Sequence, residues 1–159
     1  MSTYIPKSRR NRQQGLAVVE FAIVGSVIFL VLFAVMELGR LLYTWSVLNE
    51  VSRQAARVAT VCSLDESSNV ASDVVSRLGG AVPGLQGSNI NIEYLNDDFV
   101  PVSGTDLPYY VRAGIINYRF EMILPLTVDL SMFSPGFSTV VRAESLGETP
   151  DKGIVPCFP

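Results

Sequence analysis

Residues 16–36 read LAVVEFAIVGSVIFLVLFAVM, an apolar run that contains a single charged residue, Glu20. As an α-helix, about 21 residues at about 1.5 Å each span about 32 Å, which matches the hydrocarbon core of a bilayer, about 30 Å thick. The run is longer than the roughly 7–15 apolar residues of a cleaved signal peptide, and no A-x-A cleavage site follows it. The pattern therefore predicts one membrane-spanning helix.

Charge is distributed unevenly on the two sides of this run. Residues 1–15 carry a charge of +4 without any acid, whereas the whole chain carries −3, so the remainder carries −7. By the positive-inside rule, a basic N-terminal segment predicts a cytoplasmic N-terminus and an exported C-terminal part. An acidic body offers no basic surface for phosphates, so we expect no nucleic-acid partner.

The composition also limits the chemistry of the chain. It contains no histidine and only two cysteines, which removes the commonest general base and any four-thiolate metal site. Asp97, Asp98 and Asp106 share one loop, but their spacing matches no calcium-binding loop. Without histidine, a serine nucleophile would need Lys152, an isolated lysine near the tail, as its base. We predict no catalytic residue, no metal site, no cofactor and no enzymatic activity.

Glu20 is the unexpected residue of the apolar run. A carboxylate within a hydrocarbon span costs about 2.5–3.5 kcal/mol on insertion scales, so one found there usually has a partner and a function. Glu20 lies five residues after Gly15, at the cytoplasmic end of the span, where a glutamate can also be merely tolerated. An ordinary uncleaved signal anchor is therefore an open alternative at this point.

The residues around Glu20 distinguish the two interpretations. Residues 9–21, RRNRQQG-LAVVEF, resemble the type IV prepilin processing site: a basic stretch, Gly15, four apolar residues and then Glu20-Phe21. The resemblance implies that a prepilin peptidase cuts between Gly15 and Leu16 on the cytoplasmic side. It also implies that Glu20 pairs with the N-terminal amine of a neighbouring subunit. Glycine suits a tight pocket at the scissile bond because it has no side chain.

The helical pattern continues beyond the membrane segment. No proline occurs between residues 7 and 82, and Leu41, Trp45, Leu48 and Ala55 recur at helical spacing. We therefore predict a single helix over residues 16–62, half membrane-spanning and half amphipathic. Its sequence contains two i,i+3 ion pairs, which are Glu37–Arg40 and Glu50–Arg53.

Two further motifs of this helix, E-L-G-R at 37–40 and A-A-R-V-A at 55–59, follow Glu20-Phe21. Together the three motifs resemble the TadE-like family of minor pilins, or pseudopilins, of the tight-adherence (Flp) type IV pilus system. The resemblance covers residues 9–62, less than half of the chain. The exported part is too large for the very short major pilin of that system, so the resemblance implies a minor pilin. For A-A-R-V-A, close packing of any helix through alanine is an alternative explanation.

The exported residues predict a small α+β domain. We expect a helix over 67–78, capped by Ser67 or Ser68 and ended by Gly79-Gly80, because its valines have helical spacing. Alternating residues predict strands at 89–94, at 118–122 within a run that begins near Tyr109, and at 137–145. Pro125 and Pro135 argue against a central strand between the last two. The predicted fold class is α+β, a pilin-like long N-terminal helix packed on a small antiparallel sheet.

Cys62 and Cys157 are the only two cysteines of the chain. In an oxidising compartment, a single pair of this kind predicts a disulfide that ties the C-terminal tail to the end of the long helix. One buried thiol and one thiol in a frayed tail are the alternative.

These observations predict three segments: a basic leader (1–15), a transmembrane and amphipathic helix (16–62) and an exported α+β domain with a C-terminal tail (63–159). The function that we predict is that of a minor pilin in pilus assembly and adhesion. Its expected partners are a prepilin peptidase, other minor and major pilins, the inner-membrane assembly platform and membrane lipid. We expect a single-pass precursor in the bacterial inner membrane whose domain is periplasmic or extracellular. The alternative is an uncleaved membrane-anchored envelope binding subunit of a secretion machine.

Overall fold

The computed structural model describes residues 13–102, 107–123, 127–129, 137–151 and 153–158, with the backbone alone at 13–14 and 127–129. The chain divides into two compact units, Met1–Arg40 and Leu41–Pro159. The boundary between them falls inside the first helix, α1, which runs from Gln13 to Ala59. The predicted leader residues before Gln13 lie outside the described residues.

In the first unit, α1 exposes nearly all of its apolar side chains. The large apolar residues from Leu16 to Met36 are 52–80% exposed, and the most apolar 18-residue window has a mean hydropathy of 2.7. A helix satisfies its backbone hydrogen bonds internally, which a bilayer core demands. Gly15–Ala59 is therefore long and apolar enough to cross a membrane, which indicates membrane anchoring.

In the second unit, the same helix buries one face. Leu48, Val51, Ala55, Ala56 and Ala59 are all fully buried. Leu41, Trp45 and Val58 pack beside them. The two predicted ion pairs of α1 form, at 3.0 Å between Arg40 and Glu37 in the first unit and at 3.4 Å between Arg53 and Glu50 in the second.

The helix ends three residues earlier than we predicted, at Ala59 rather than at residue 62. The next residues form a turn, in which the N–H of Thr60 still donates to Ala56 and the N–H of Val61 donates to Val58. Such tightening of the last turn is common where a helix ends.

The second helix, α2, spans Ser67–Leu78, as the valine spacing indicated, and Val70 and Val74 are buried. The prediction that Ser67 or Ser68 caps this helix was wrong. Both serines lie within the helix, Glu66 occupies the cap position, and no side chain makes a cap hydrogen bond there. A short 3₁₀ turn at Leu64–Glu66 leads directly into α2, which moves the start of the helical backbone before the serines.

The main sheet has three antiparallel strands, with β1 (Ile90–Leu95), β2 (Tyr110–Ile115) and β5 (Ser138–Arg142) in the spatial order β1-β2-β5. A smaller sheet pairs β3 (Arg119–Glu121) with β4 (Thr127–Asp129), and a hairpin pairs β6 (Glu148–Thr149) with β7 (Gly153–Ile154). The predicted strand from Tyr109 to Met122 is in fact two strands. Asn117 between them has a φ of 54°, a left-handed conformation that asparagine tolerates, and this bend ends β2.

The core lies between α1, α2 and the sheet. Alternate residues of β2, which are Val111, Ala113 and Ile115, are buried, and their neighbours along the strand are partly exposed. Phe137 is fully buried, and its ring centre lies 4.5 Å from that of Trp45 on α1. The fold is thus the predicted α+β arrangement, in which a long N-terminal helix packs on a small antiparallel sheet.

Candidate functional site

The predicted processing residues lie in the first turns of α1. Gly15 and Leu16 are exposed, and a Cβ atom placed on Gly15 would contact nothing within 4 Å. Glu20 and Phe21 follow on the same helix and are also exposed, Phe21 by 80%. Glu20 forms no ion pair with any of the residues that the structure describes. The site is an exposed, continuous stretch of helix with one unpaired carboxylate near its start.

A second cluster of interacting residues lies where α1 ends. Cys62 and Cys157 are joined as a disulfide, with their Cα atoms 5.5 Å apart across a sequence separation of 95 residues. The Cys62 residue is buried, and Cys157 belongs to the C-terminal tail. The structure therefore brings together the two cysteines that the sequence predicted as a pair.

Glu66 holds the same tail through its carboxylate. It accepts the backbone N–H of Cys157 at 2.8 Å and that of Phe158 at 3.3 Å, and Ser63 donates its hydroxyl at 3.3 Å. The hydrogen bond from Cys157, together with those from Phe158 and Ser63, holds the pKa of Glu66 below its ordinary value, although burial acts in the opposite direction. The sequence does not indicate this role of Glu66, because the partners of its carboxylate lie about 90 positions away.

Residues 144–147 fix the tail to the C-terminal end of α1. The carbonyl of Thr60 accepts the N–H of Glu144 at 3.2 Å and that of Leu146 at 3.1 Å, which satisfies an otherwise free carbonyl at the helix end. Gly147 has a φ of 79°, and a Cβ atom there would lie 3.0 Å from the backbone nitrogen of Ser63. Only glycine fits this approach without strain.

Tyr94 on β1 lies close to this cluster. Its hydroxyl is buried and has no hydrogen-bond partner among the residues that the structure describes. Burial, and then the charges of Asp65 and Glu66, raise the pKa of Tyr94 above its ordinary value. The hydroxyl is consequently kept protonated.

Metal-ligating atoms converge at one place in the described part of the chain. Three residues, which are Cys62, Glu66 and Cys157, each offer one ligand atom, and these atoms lie within 4.8 Å of one another. Both sulfur atoms are joined in the disulfide and are not free to bind a metal. Asp97 and Asp98 lie on an exposed loop, and Asp106 and Lys152 lie outside the described residues.

Comparison with known proteins returns one family. The family model described as TadE-like protein matches residues 15–57, which lie entirely within α1. The matched segment begins at Gly15 and contains Glu20, E-L-G-R and most of A-A-R-V-A. No curated protein and no solved structure is significantly similar to the chain. The family model thus agrees with the resemblance that the motifs indicated, and the match covers less than a third of the chain.

Proposed function

We propose that this protein is a minor pilin of a tight-adherence pilus system, cut after Gly15 and assembled through α1. The observation that carries the proposal is the coincidence of three features on one stretch of helix. The TadE-like match begins at Gly15, the exposed apolar run begins at Leu16, and Glu20, the one carboxylate of that run, lies near its start. A protein of this kind is structural and associates with other pilus components.

Processing requires a change in the backbone at the start of α1. Gln13, Gln14 and Gly15 are helical, and a peptidase needs an extended chain at the bond that it cuts. Glycine is a weak helix former, about 1 kcal/mol worse than alanine, so the first turn opens more readily at Gly15 than at its neighbours. Gly15 therefore favours cleavage in two ways. It lowers the free-energy cost of unwinding the first turn of α1, and it places no side chain in the pocket of the peptidase.

Cleavage would create the partner that Glu20 lacks. A new amine on Leu16 carries a positive charge, and in an assembly of parallel helices it meets the carboxylate of a neighbouring subunit. Pairing neutralises two charges that lipid or an apolar filament core would otherwise penalise. The exposed apolar side chains of residues 16–36 would pass from contact with lipid to contact with the helices of other pilins.

The remaining partners and the location follow from this proposal. The basic leader keeps the N-terminus in the cytoplasm, where a prepilin peptidase of the inner membrane acts, and the domain after α1 lies outside that membrane. Other minor and major pilins, together with the inner-membrane assembly platform, take up the processed protein. We propose a role in pilus assembly and adhesion rather than in catalysis.

Mass spectrometry of the protein from cells with an active prepilin peptidase tests the processing step. We expect Leu16 to be the mature N-terminus. Gly15→Ala should leave most of the protein uncut, whereas Gly25→Ala should be processed normally. Gly25 is a matched control because it lies in the same apolar helix and a Cβ atom there also contacts nothing within 4 Å. An intact leader in the wild type would refute the proposal.

Glu20→Ala tests the assembly step separately. We expect normal cleavage of this variant but a large decrease in the amount recovered with sheared pili, because its neighbour's amine would remain unpaired. The competing hypothesis, an uncleaved anchor that presents an envelope binding domain, predicts that the leader persists and that Glu20→Leu has no effect. The two hypotheses therefore differ in both measurements.

A further inference from the structure

The loop after β1 forms a compact hairpin whose tip is residues 97–99. The N–H of Asn96 donates to the carbonyl of Val100 at 2.9 Å, and the N–H of Val102 donates to that of Tyr94 at 2.9 Å. The side-chain oxygen of Asn96 accepts the N–H groups of Asp98 at 3.0 Å and Val100 at 2.9 Å. These bonds fix the backbone of an exposed loop that has no core of its own.

Phe99 occupies an unfavourable position in this hairpin. Its φ is 60°, the left-handed conformation that three-residue hairpin loops normally give to glycine or asparagine. The phenyl ring is nevertheless 55% exposed, and it stacks on Tyr110 with ring centres 4.7 Å apart and planes at 15°. The strained backbone thus holds a large apolar side chain toward solvent, and such conflicts between local preference and structure concentrate at functional sites.

Two other exposed residues lie at the same end of the sheet as Phe99. Val100 and Tyr109, both 54% exposed, lie at the same end of the β1–β2 pair. We call these three residues the Phe99 patch. Asp97 and Asp98 adjoin it on the hairpin tip, and both are exposed. Exposed aromatic residues held rigidly and edged by charge are typical of protein–protein contacts.

We propose that the Phe99 patch docks into an apolar pocket, rimmed by lysine or arginine, on another subunit of the same pilus. This inference rests on the proposed function, since it names a contact that the exported domain makes within the assembly. Phe99 is the anchor, and the two aspartates select a cationic rim through charge complementarity.

The same charges argue against a lipid surface as the occupant. An anionic membrane surface would repel Asp97 and Asp98, which are exposed on the hairpin tip. A subunit that surrounds an apolar pocket with basic residues avoids this penalty.

Photo-crosslinking in cells that make the complete pilus system tests the inference. The full chain carries p-benzoylphenylalanine in place of Phe99, and the control carries it in place of Ile154, which is 72% exposed on the β6–β7 hairpin. We expect an adduct from position 99 but not from position 154, with mass spectrometry identifying the partner as another pilin of the system. Adding Asp97→Lys and Asp98→Lys should reduce the adduct at least about tenfold, because like charges would then face each other.

A second variant separates docking from folding. Phe99→Gly relieves the left-handed strain, so the midpoint of thermal unfolding should be unchanged or higher. With the crosslinker moved to position 100, Phe99→Gly should still lose most of the adduct. A lower midpoint would show instead that Phe99 supports the fold, and that result would overturn its role as an anchor.

Other results also overturn the inference. These are adducts only with lipid or with a second copy of the chain, no adduct at position 99, or an adduct that the lysine substitutions leave unchanged. The N-terminus is sequenced in the same cells. A missing adduct in protein that begins at Leu16 refutes the docking surface alone, whereas an intact leader refutes the proposed function.

Discussion

Glu66 links the pH of the medium to the attachment of the tail. Its folded pKa lies below the ordinary glutamate value of about 4.5, because the backbone N–H groups of Cys157 and Phe158 favour the ionised form. A lowered folded pKa means that the contribution to stability is complete above that ordinary value. It disappears as the pH falls through the folded pKa.

We therefore expect Glu66→Gln to lower the midpoint of urea unfolding at pH 7, and to change it much less at a pH below the folded pKa of Glu66, where the wild-type carboxylate is also neutral. Glu148→Gln is the matched control, since Glu148 lies on the β6–β7 hairpin and its side chain is exposed. Equal effects of Glu66→Gln at both pH values would contradict the assigned role.

A substitution of Tyr94 should increase stability, whereas that of Glu66 should decrease it. A buried hydroxyl without a partner costs about 1–3 kcal/mol, and that of Tyr94 has none in the described part of the chain. Tyr94→Phe should therefore raise the free energy of unfolding by about 1 kcal/mol. Urea denaturation at pH 7 measures the change. A loss of stability would mean that the hydroxyl has a partner, such as an ordered water.

Single residues were predictable from sequence only where the motif was local. Gly15 and Glu20 lie five positions apart on one helix, so their relation can be seen in the sequence itself. Glu66 stands in a polar stretch, SLDESS, that looks like any solvated turn. Its role depends on a tail that reaches it only after the chain has folded. The spacing of residues along the sequence does not predict such a contact.

Among the elements, α1 was the most predictable and its alanine run is now explained by packing. Ala55, Ala56 and Ala59 are fully buried, so the close-packing alternative accounts for their small size. The helix was recognisable because its apolar stripe continues over many turns. The bend at Asn117 that ends β2 was not recognisable from the sequence. It depends on the backbone conformation of a single residue, which an alternating strand pattern does not reveal.

Ala56→Leu tests the packing of this helix. Extra methylene groups in a filled core force side chains and backbone apart, so we expect a loss of about 1–3 kcal/mol in the free energy of unfolding. Arg57→Leu adds an apolar side chain at the adjacent exposed position and should change stability by less than about 0.5 kcal/mol. Similar effects of the two substitutions would show that Ala56 is not tightly packed.

For the whole molecule, the disulfide joins segments that are far apart in the chain. Cys62 and Cys157 are separated by 95 residues, and a crosslink over so long a loop restricts the unfolded chain strongly. Changing both cysteines to serine should lower the free energy of unfolding by about 2–5 kcal/mol. Urea denaturation of the oxidised wild type, the reduced wild type and the double serine variant measures this. The last two should agree, and both should be less stable than the first.

The second unit should fold without the membrane segment. The buried apolar residues of the core, and the partly buried ones packed against them, come from positions between Leu41 and Phe158. Deleting residues 1–40 removes none of these residues, and it removes the exposed apolar side chains that require lipid or detergent. A chain of residues 41–159 should therefore be soluble without detergent and should unfold cooperatively.

Circular dichroism and thermal denaturation of this fragment test that expectation. Leu48→Ala in the same fragment should lower the free energy of unfolding by about 2–5 kcal/mol, because Leu48 is fully buried on the part of α1 that remains. A fragment that lacks a cooperative transition, or that does not respond to Leu48→Ala, would show that folding needs the first 40 residues. Cooperative unfolding that is sensitive to Leu48 would instead show that folding of the domain does not require the anchoring half of the helix.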